Sequence, residues 1–418
     1  MPVQSATSRD CMNHGQLALT VFLYTSASYE NAGETLLQLW IMFIFVANVG
    51  PDMNKKLFFL LLFLSTVHLI SCNKNNPDKD TDNGDTSLWV ALHDGEDGFS
   101  EFKDDKCYIY RDGNLQYTCP FSSAVVRKGT DIYALARGES KAGKYSIWKN
   151  GKRLYGLDSE GGFPLDCAGA CGLCVVNNDV YSCGTDAVFD SGGKLKSYKG
   201  RVWKNEKPIL ELESRGSLIW PYRILVEGTD IYVAGALDDP ANKEKGPAVW
   251  KNGKLFFLGK GSGSGWDEIN DIRSYYGSLY YAGTQYNEGG GGPNPKIWKN
   301  NAVLYDLTGG CEWAHVYNMA FKGSDLYAVG NRCVYTGGYI RGYIIDGAIW
   351  KNGEIMWAIE DTEQTSIAII GDDIYTAGIV ETSNGKNGTN RLAQIWKNGK
   401  VYQTFDYCQE VLLIRACN

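Results

Sequence analysis

Histidine is scarce in this chain, and several common catalytic motifs are missing. Four of the 418 residues are histidine, and only His93 and His315 follow residue 72. Two histidines cannot form a multi-histidine metal site, and we expect no metal and no other cofactor. No Gly-x-Ser-x-Gly motif is present, so nothing indicates a serine-hydrolase elbow. The glycine-rich residues 259–265 lack the Gly-Lys-Ser/Thr ending of a phosphate loop, and we interpret them as a flexible connection.

Clustered positive charge and long apolar runs are missing as well. The formal net charge is −7, and lysine and arginine form no basic stripe, which argues against a nucleic-acid partner. An apolar run near the N-terminus, residues 36–49, has only 14 residues. That is short for a membrane span.

Glycine and aromatic residues, by contrast, are abundant. The chain has 49 Gly, 26 Tyr and 12 Trp, and 44% of its residues are hydrophobic. This composition is typical of a globular all-β protein with many turns. The chain is also long enough to bury a large core.

A five-residue sequence, Trp396-Lys397-Asn398-Gly399-Lys400, recurs in near-copies along the chain. The other copies begin at Trp148, Trp203, Trp250, Trp298 and Trp350, and the successive intervals are 55, 47, 48, 52 and 46 residues. These intervals fit one four-stranded propeller blade per repeat and are too long for leucine-rich or ankyrin units.

Each copy is predicted to form the tip of a β-hairpin. Its Asn-Gly pair suits the two central positions of a type I′ turn, as at Asn150-Gly151, Asn252-Gly253, Asn352-Gly353 and Asn398-Gly399. A β-branched residue precedes every tryptophan, so both faces of the incoming strand are apolar, and we expect both to be buried between blades. A row of ligand-stacking tryptophans is the alternative, but packing between blades explains the repeat better.

A second motif completes a four-stranded unit. It precedes each tryptophan, from Asp131-Ile-Tyr133 to Asp373-Ile-Tyr-Thr-Ala-Gly378, and itself follows an apolar strand. Each unit is therefore strand A, a short turn, strand B with the tyrosine, a loop, strand C ending at the tryptophan, the hairpin turn and strand D. Residues 88–92 and 108–117 form a seventh unit without strand A, which residues 411–416 are predicted to supply. We thus predict an all-β, seven-bladed β-propeller over residues 87–418, with six full four-stranded repeats and one blade closed by N- and C-terminal strands.

The N-terminal region differs from the repeats and contains a second possible start. Met53-Asn54-Lys55-Lys56 precedes the apolar residues 57–64, which is the order of a signal peptide. Leu69-Ile70-Ser71-Cys72 resembles the lipobox of bacterial lipoproteins, in which the cysteine is lipidated and becomes the mature N-terminus. We interpret residues 53–72 as a lipoprotein signal peptide and expect residues 1–52 to be an upstream segment that is not translated. The alternative is that Cys72 follows a membrane anchor by chance.

Residues 73–86 are predicted to be an acidic flexible tether. They are polar, include Asp78, Asp80, Asp82 and Asp85, and cannot form a core. The lipoprotein resemblance implies outer-membrane sorting, since Asn73 rather than aspartate follows the cysteine. An acidic tether resembles an export signal for the outer face, although a plain spacer explains it equally well. We therefore expect a lipid-anchored outer-membrane protein, held through Cys72.

Ten cysteines follow Cys72, an even number that favours disulfides in an exported protein. Cys107 and Cys119 flank the Asp112-Gly113 turn and form one predicted pair. The second pair is Cys311, in the loop entering a blade, and Cys333, placed in that blade's B-to-C loop. The others are unassigned: Cys167, Cys171, Cys174, Cys183, Cys408 and Cys417. Although Cys167, Cys171 and Cys174 have the spacing of an iron–sulfur site of radical enzymes, such clusters need a reducing compartment and a β/α barrel.

One group of aromatic and acidic residues is a candidate binding face. In a propeller the D-to-A and B-to-C loops surround the mouth of the central channel, and Trp220, Trp266 and Trp313 are predicted in D-to-A loops. Trp266 and Trp313 each lie 14 residues before their motif tyrosine, which predicts equivalent places in adjacent blades. The neighbouring polar residues are Asp267, Glu268, Glu312 and His315. Rings flanked by carboxylates suit sugars; the alternative is that the tryptophans are structural lids.

Residues 87–418 as a whole resemble the propeller domains of Gram-negative surface lipoproteins with repeated Trp-Lys-Asn-Gly hairpins. They lack the paired-glycine strand ends of kelch repeats. The resemblance implies a fold and a location but no activity. We expect a non-catalytic binding module for a glycan or a protein. The alternatives are a polysaccharide-acting hydrolase or lyase with Asp267, Glu268 or Glu312 as acid and base, and a scaffold subunit of an outer-membrane complex.

The N-terminal interpretation makes a direct prediction. N-terminal and intact-mass analysis of the protein from its native membrane should find a mature chain that begins at lipid-modified Cys72. Detection of any peptide that precedes Met53 would contradict the predicted start.

Overall fold

The structure describes most of the repeat region. This computed structural model describes residues 86–94, 106–136, 145–158, 172–238, 246–261, 267–286, 292–309, 311, 313–335, 343–383, 389–405, 410–413 and 415–416. All of them belong to one compact unit, Asn75–Asn418. The predicted upstream segment, the signal peptide with Cys72 and the tether up to residue 85 lie outside the described residues.

The described residues form β-strands joined by turns and loops, and none of them lies in a helix that could cross a membrane. In chain order the strands are β1 (Trp89–Asp94), β2 (Lys106–Arg111), β3 (Asn114–Pro120), β4 (Ser122–Lys128), β5 (Asp131–Ala136), β6 (Ser146–Lys149), β7 (Lys152–Gly156), β8 (Gly172–Val176), β9 (Asp179–Phe189), β10 (Leu195–Lys204), β11 (Lys207–Glu211), β12 (Leu218–Glu227), β13 (Asp230–Asp238), β14 (Gly246–Lys251), β15 (Lys254–Leu258), β16 (Glu268–Tyr275), β17 (Ser278–Tyr286), β18 (Pro293–Lys299), β19 (Ala302–Asp306), β20 (Trp313–Lys322), β21 (Asp325–Tyr335), β22 (Tyr343–Lys351), β23 (Glu354–Ile359), β24 (Thr362–Ile370), β25 (Asp373–Ser383), β26 (Thr389–Lys397), β27 (Lys400–Phe405), β28 (Glu410–Leu413) and β29 (Arg415–Ala416).

These strands build seven antiparallel blades arranged in a ring, which confirms the predicted seven-bladed β-propeller. Blade 1 has the order β28-β1-β2-β3, and blade 2 has the order β29-β4-β5-β6-β7. Blades 3 to 7 are β8–β11, β12–β15, β16–β19, β20–β23 and β24–β27, each in simple sequential order. The first strand of each blade, strand A, contacts strand A of a neighbouring blade, as β12 does with β8 and β16.

The ring closes through the C-terminal strand, as predicted. In β28, Val411, Leu412 and Leu413 pair antiparallel with Leu92, Ala91 and Val90 of β1. One detail differs from the single strand predicted for residues 411–416. The chain leaves blade 1 after Leu413, and β29 pairs parallel with β4 of blade 2, Arg415 opposite Val126. The C-terminal segment therefore joins two blades.

The repeated tryptophans pack between blades. Trp203 and Trp250 are fully buried, and Trp298, Trp350 and Trp396 are at most 2% exposed. The preceding β-branched residues, such as Ile349, are fully buried on the other face of the same strand. Trp148 is half-buried. The core-packing interpretation of the repeat is therefore correct.

The hairpin turns have the predicted conformation and an additional function. In the four Asn-Gly turns both central residues have positive φ, for example 51° at Asn352 and 90° at Gly353, which defines a type I′ turn. The asparagine oxygen also accepts a hydrogen bond from a backbone N–H of strand B, at 2.8 Å from Leu326 in this blade. Its amide nitrogen donates to Asp325 at 2.7 Å. Equivalent bonds to strand B occur at Asn150, Asn205, Asn252, Asn300 and Asn398.

The lysine of the repeat completes a polar cluster on each hairpin. The Lys251 ammonium lies 2.8 Å from Asp230 and 5.3 Å from the centroid of the Tyr232 ring. The bond from Lys251 lowers the pKa of Asp230. Solvent reaches both groups, so water screens the ion pair and its contribution to stability is small. The Asp, Tyr, Lys and Asn of the repeat thus connect strand C to strand B through ion pairs, cation–π contacts and hydrogen bonds.

The glycine in the motif Tyr-x-x-Gly makes room for a β-bulge on strand A. Strand A has one unpaired residue opposite this glycine: Tyr222, Asn270, Tyr317 and Thr365 in blades 4 to 7. A Cβ at Gly330 would overlap the carbonyl oxygen of His315, and Gly235, Gly283 and Gly378 have equivalent overlaps. The bulge turns its side chain out of the normal alternation. The motif glycine is therefore needed for the backbone to approach this closely.

Substitution at this glycine tests the bulge. We expect Gly330→Ala to lower the free energy of unfolding by about 1–3 kcal/mol, because the added methyl group forces the backbone of strand A to move. Gly192→Ala is the control, since its Cβ would meet only the Asp190 side chain at 3.3 Å. Denaturant unfolding measures both variants, and equal stability of the two would contradict the steric explanation.

Removal of the closing strand tests the ring. A chain that ends before Glu410 exposes the edge of β1 and leaves Val90, Leu92 and Ala91 without their partners. We expect a loss of several kcal/mol, by burial lost at about 25 cal/mol per Å², together with aggregation through the open edge. Thermal unfolding and light scattering report the two effects. A truncated chain that melts like the complete one would show that closure is dispensable.

Candidate functional site

The candidate site lies on the A strands of blades 4, 5 and 6. Along β20 the side chains alternate, and Trp313, His315 and Tyr317 are half-buried while Ala314 and Val316 are buried. The bulge at Tyr317 breaks the pairing of β20 with β21 at this point. In the adjacent A strands, Tyr222 and Asn270 occupy the same bulged position. The bulges thus place three polar side chains at equivalent positions around the inner strands.

Glu268 is at the centre of a hydrogen-bond chain that crosses three blades. The Tyr222 hydroxyl of blade 4 donates to its carboxyl group, as does the Asn270 amide at 3.1 Å. Asn270 also donates to the carbonyl oxygen of Val316 in blade 6, at 3.1 Å. Burial raises the pKa of Glu268, against the effect of these two bonds, and the charge of Asp267 raises it further. The protein therefore opposes a negative charge here.

His315 is the second titratable group of the cluster. Its Nδ1 lies 3.4 Å from the Thr284 hydroxyl of blade 5. Its ring is parallel to that of Tyr317, with centroids 6.1 Å apart, and Trp313 meets it edge-on at 5.8 Å. Burial lowers the pKa of His315 to about 4, so the imidazole is neutral at pH 7. A row of three rings without a cation results.

Tyr317 extends the cluster towards blades 6 and 7. Burial raises the pKa of its hydroxyl, and the nearby carboxylates of Glu363 and Glu268 add to this effect. The Asn331 amide lies 3.5 Å from the Tyr317 oxygen, and the Asn331 oxygen accepts from the Gln364 backbone N–H at 3.0 Å. The phenol is thus neutral and linked to the next blade.

The structure brings together only part of the predicted site. Glu268 and His315 belong to the cluster, and Trp313 borders it. Asp267 is buried and accepts a hydrogen bond from the Tyr286 backbone N–H at 2.5 Å, so it organises the backbone. Trp266 and Glu312 lie outside the described residues.

The predicted loop positions of Trp220 and Trp313 are wrong. Trp220 lies within β12, opposite Ala236 of β13, and Trp313 begins β20, opposite Cys333. Both A strands begin earlier than the apolar pattern indicates, because polar and aromatic residues such as Trp220 and His315 also pair in the sheet. The two tryptophans are therefore held on strands rather than on mobile loops.

Three members of the cluster were not predicted from the sequence: Tyr222, Asn270 and Tyr317. A sequence signal for them does exist. Each bulged residue lies ten positions before the motif tyrosine of its blade, at Tyr232, Tyr280 and Tyr327. The same spacing holds for Thr365 and Tyr375. This spacing, together with the motif glycine, marks the bulge.

The two predicted disulfides are not present. Cys107 and Cys119 pair directly across β2 and β3 but are free thiols, as are Cys311 and Cys333. The Cys119 sulfur lies 3.5 Å from the Ser122 hydroxyl. A hydrogen bond between Cys119 and Cys107 lowers the pKa of the Cys119 thiol. Cys333 lies within β21 rather than in a loop, opposite Trp313 and not opposite Cys311. The described unassigned cysteines, Cys174 and Cys183, are also free thiols; Cys167, Cys171, Cys408 and Cys417 lie outside the described residues.

The cluster has the chemistry of a site for an uncharged polar ligand. Rings offer flat apolar faces, and the hydroxyl, amide and carboxyl groups of Tyr222, Asn270 and Glu268 offer donors and acceptors. Burial disfavours charge on Glu268 and on His315. Among the described residues, no group of three or more His, Cys, Asp or Glu side chains is arranged to hold a metal ion.

Comparison with known proteins gives the fold only. No family model and no curated protein matches the chain. The structure is similar to Pyrococcus horikoshii acylaminoacyl peptidase, with a TM-score of 0.45 and 14% identity over 77% of this chain and 51% of the peptidase, so this chain spans about half the peptidase's length. It is also similar to the β-propeller domain of the Trilobed protease from Pyrococcus furiosus, with a TM-score of 0.41 and 12% identity over 77% and 93% of the two chains. An exo-1,5-α-L-arabinanase from a bovine ruminal metagenomic library has a TM-score of 0.30 and 8% identity over 56% and 96%.

Proposed function

We propose that this protein is a non-catalytic glycan-binding propeller, and that the ligand lies against the cluster on β12, β16 and β20. One observation carries the proposal: the half-buried rings of Trp313, His315 and Tyr317 lie beside the Tyr222–Glu268 hydrogen bond, where burial opposes charge. Sugars present an apolar ring face and many hydroxyl groups, and they carry no charge in their simplest form. A neutral surface of rings and hydrogen-bonding groups suits them.

We further propose that the protein is anchored in the outer membrane by a lipid on Cys72. The support is the order of n-region, apolar segment and lipobox in residues 53–72. A surface position would bring the cluster into contact with extracellular or cell-wall polysaccharide. There are two alternatives: the protein binds another protein on the cell surface, or it is a scaffold subunit of a membrane complex. In both cases a partner protein should copurify with it.

A second candidate function is cleavage of a polysaccharide, by a hydrolase or a lyase reaction. The observation that favours it is the raised pKa of Glu268, since a general acid must hold its proton near neutral pH. The second carboxyl group that a glycosidase requires argues against this function. Asp267 is buried and bound to a backbone N–H, whereas a glycosidase needs two carboxyl groups on either side of the bond.

Trp313→Ala tests the binding surface. The ligand is first found by screening the Asn75–Asn418 unit, which contains all seven blades, on a glycan array. We then expect the substitution to weaken binding by about 1–3 kcal/mol, the range for loss of a well-placed aromatic anchor, with little change in melting temperature. Calorimetry and thermal unfolding of the same preparation give both quantities.

Trp350→Ala is the matched control. Trp350 is 1% exposed and packs in a blade core, so its loss should cost about 3–5 kcal/mol of stability. If Trp313→Ala instead lowers the melting temperature as Trp350→Ala does and leaves affinity unchanged, Trp313 is a structural lid and the proposed surface is wrong.

Glu268→Gln separates binding from catalysis in the same assay. The amide keeps an oxygen for the Tyr222 and Asn270 bonds and cannot act as an acid. Product release by the unmodified protein that is lost in this variant, with binding retained, would favour the hydrolase or lyase over the binding module.

A further inference from the structure

All hairpin turns between strands C and D lie on one face of the propeller, opposite to the cluster of β12, β16 and β20. Strand C of every blade runs in the same direction into its turn, because each blade has the same strand order. We call this the tip face. Its turns are Asp112-Gly113, Asn150-Gly151, Asn205-Glu206, Asn252-Gly253, Asn300-Asn301, Asn352-Gly353 and Asn398-Gly399.

Exposed apolar side chains lie close to six of these turns. In blades 2 to 7, strand D has a bulge just after its turn, beside the residue that pairs with the repeated tryptophan. The bulged residue is large and apolar in blades 2 to 7: Leu154, Ile209, Phe256, Leu304, Met356 and Tyr402, with exposures of 46%, 42%, 42%, 39%, 39% and 53%. Phe256 and Tyr402 meet the buried motif tyrosines Tyr232 and Tyr375 edge-on, yet all six side chains remain 39–53% exposed.

A second lysine accompanies these apolar side chains. The first lysine of each repeat is engaged with an aspartate or a tyrosine, as Lys251 is with Asp230 and Tyr232. The lysine after the turn is different. Lys152, Lys207, Lys254 and Lys400 are exposed and form no salt bridge within the part of the chain that the structure describes.

The tip turns thus carry local positive charge on a chain whose net charge is −7. The acidic residues in the same turns are Asp112, Glu206 and Glu354. Asp112 is engaged with Leu88, and the aspartates of the adjoining A-to-B turns are engaged with the first lysines. Lys254 also interacts with Glu213. Lys152, Lys207 and Lys400 are therefore the second lysines available to a partner, against the exposed Glu206 and Glu354.

The chain also enters the propeller at the tip face. The Leu88 backbone N–H donates to the Asp112 carboxylate at 2.8 Å, and the Arg111 guanidinium donates to the Ser87 hydroxyl at 2.9 Å. Residues 87 and 88 are thus fixed to the first hairpin turn. A tether of 14 residues can span at most about 50 Å, so an anchor at Cys72 would keep the entry point on this face within that distance of the bilayer.

We propose that the tip face docks on an anionic phospholipid surface. The inference rests on the proposed lipid anchor for its orientation, but its chemistry is independent of that anchor. Lysines near an anionic leaflet are attracted to the headgroups, and apolar and aromatic side chains beside them enter the interfacial layer. Turns that share one face can meet a flat, anionic bilayer together, with the lysines at the headgroups and the apolar side chains in the interfacial layer.

The test uses the Asn75–Asn418 unit, which lacks Cys72 and so cannot bind through a lipid. We expect it to sediment with vesicles of phosphatidylcholine and phosphatidylglycerol and not with phosphatidylcholine alone, and binding should weaken as salt is added. The variant K152E/K207E/K400E should bind at least tenfold more weakly, because three attractive charges become repulsive. F256S/Y402S should bind severalfold more weakly at high salt, where insertion is the main attraction.

The matched control is K194E/K196E/K260E. These lysines are also exposed but lie away from the tip turns: Lys194 and Lys260 are in a B-to-C and a D-to-A loop, and Lys196 is at the start of β10 beside that B-to-C loop. This variant should bind as the unmodified unit does. Equal loss in both triple variants would mean nonspecific charge attraction and would overturn the proposal. Absence of any preference for phosphatidylglycerol, or a concentration-dependent dimer that the tip variant abolishes, would overturn it too.

The outcome is separable from the proposed function. Trp313→Ala should leave vesicle binding unchanged, and K152E/K207E/K400E should leave glycan affinity unchanged. Unaltered melting temperatures show that each variant is folded. If the mature N-terminus proves unlipidated but the vesicle result stands, the docking surface is retained and only the anchor is lost.

Discussion

Each blade of this protein depends on burying both faces of strand C at once. Trp350 and Ile349 lie on opposite sides of one strand, and both are buried, so a blade needs a neighbour on each side. A linear row of blades cannot satisfy its two end members. Only a ring can, and this is why the C-terminal β28 must return to β1 and why β29 continues onto blade 2. Packing of one residue pair therefore determines the closure of the whole molecule.

Much of this fold could be predicted from the sequence because its information is local and repeated. The tryptophan repeat, the Asn-Gly turns and the tyrosine motif each specify a short element, and their period specifies the number of blades. The bulges could not be predicted in the same way, because they depend on how strand A registers with strand B. The cysteine pairs failed for a related reason: Cys107 and Cys119 were correctly predicted to face each other, but facing positions do not determine bonding.

The candidate site was predicted in part, and the difference is physical. Trp313 was found because it and Trp266 lie at the same distance before their motif tyrosines, and Glu268 and His315 were found because they lie beside these tryptophans in the sequence. Tyr222, Asn270 and Tyr317 were missed because a bulged residue looks like any other strand residue until the register is known. Those residues connect the blades: Asn270 reaches Val316 across an interface, and Tyr222 reaches Glu268. The side chains that form hydrogen bonds between blades are thus the same side chains that a ligand would contact. Ligand binding and the rigidity of the site are therefore coupled.

The closing strand has a consequence for how the protein is made. β1 and β28 come from opposite ends of the described chain, and blade 1 lacks its inner strand until both have been synthesised. Contacts of this kind form late, because a very long loop must close first. Until then every partial ring exposes apolar faces and a free sheet edge, which chaperones recognise. The first strand of the described chain therefore obtains its inner partner only when the last blade is complete, so the ring can close only at the end of synthesis.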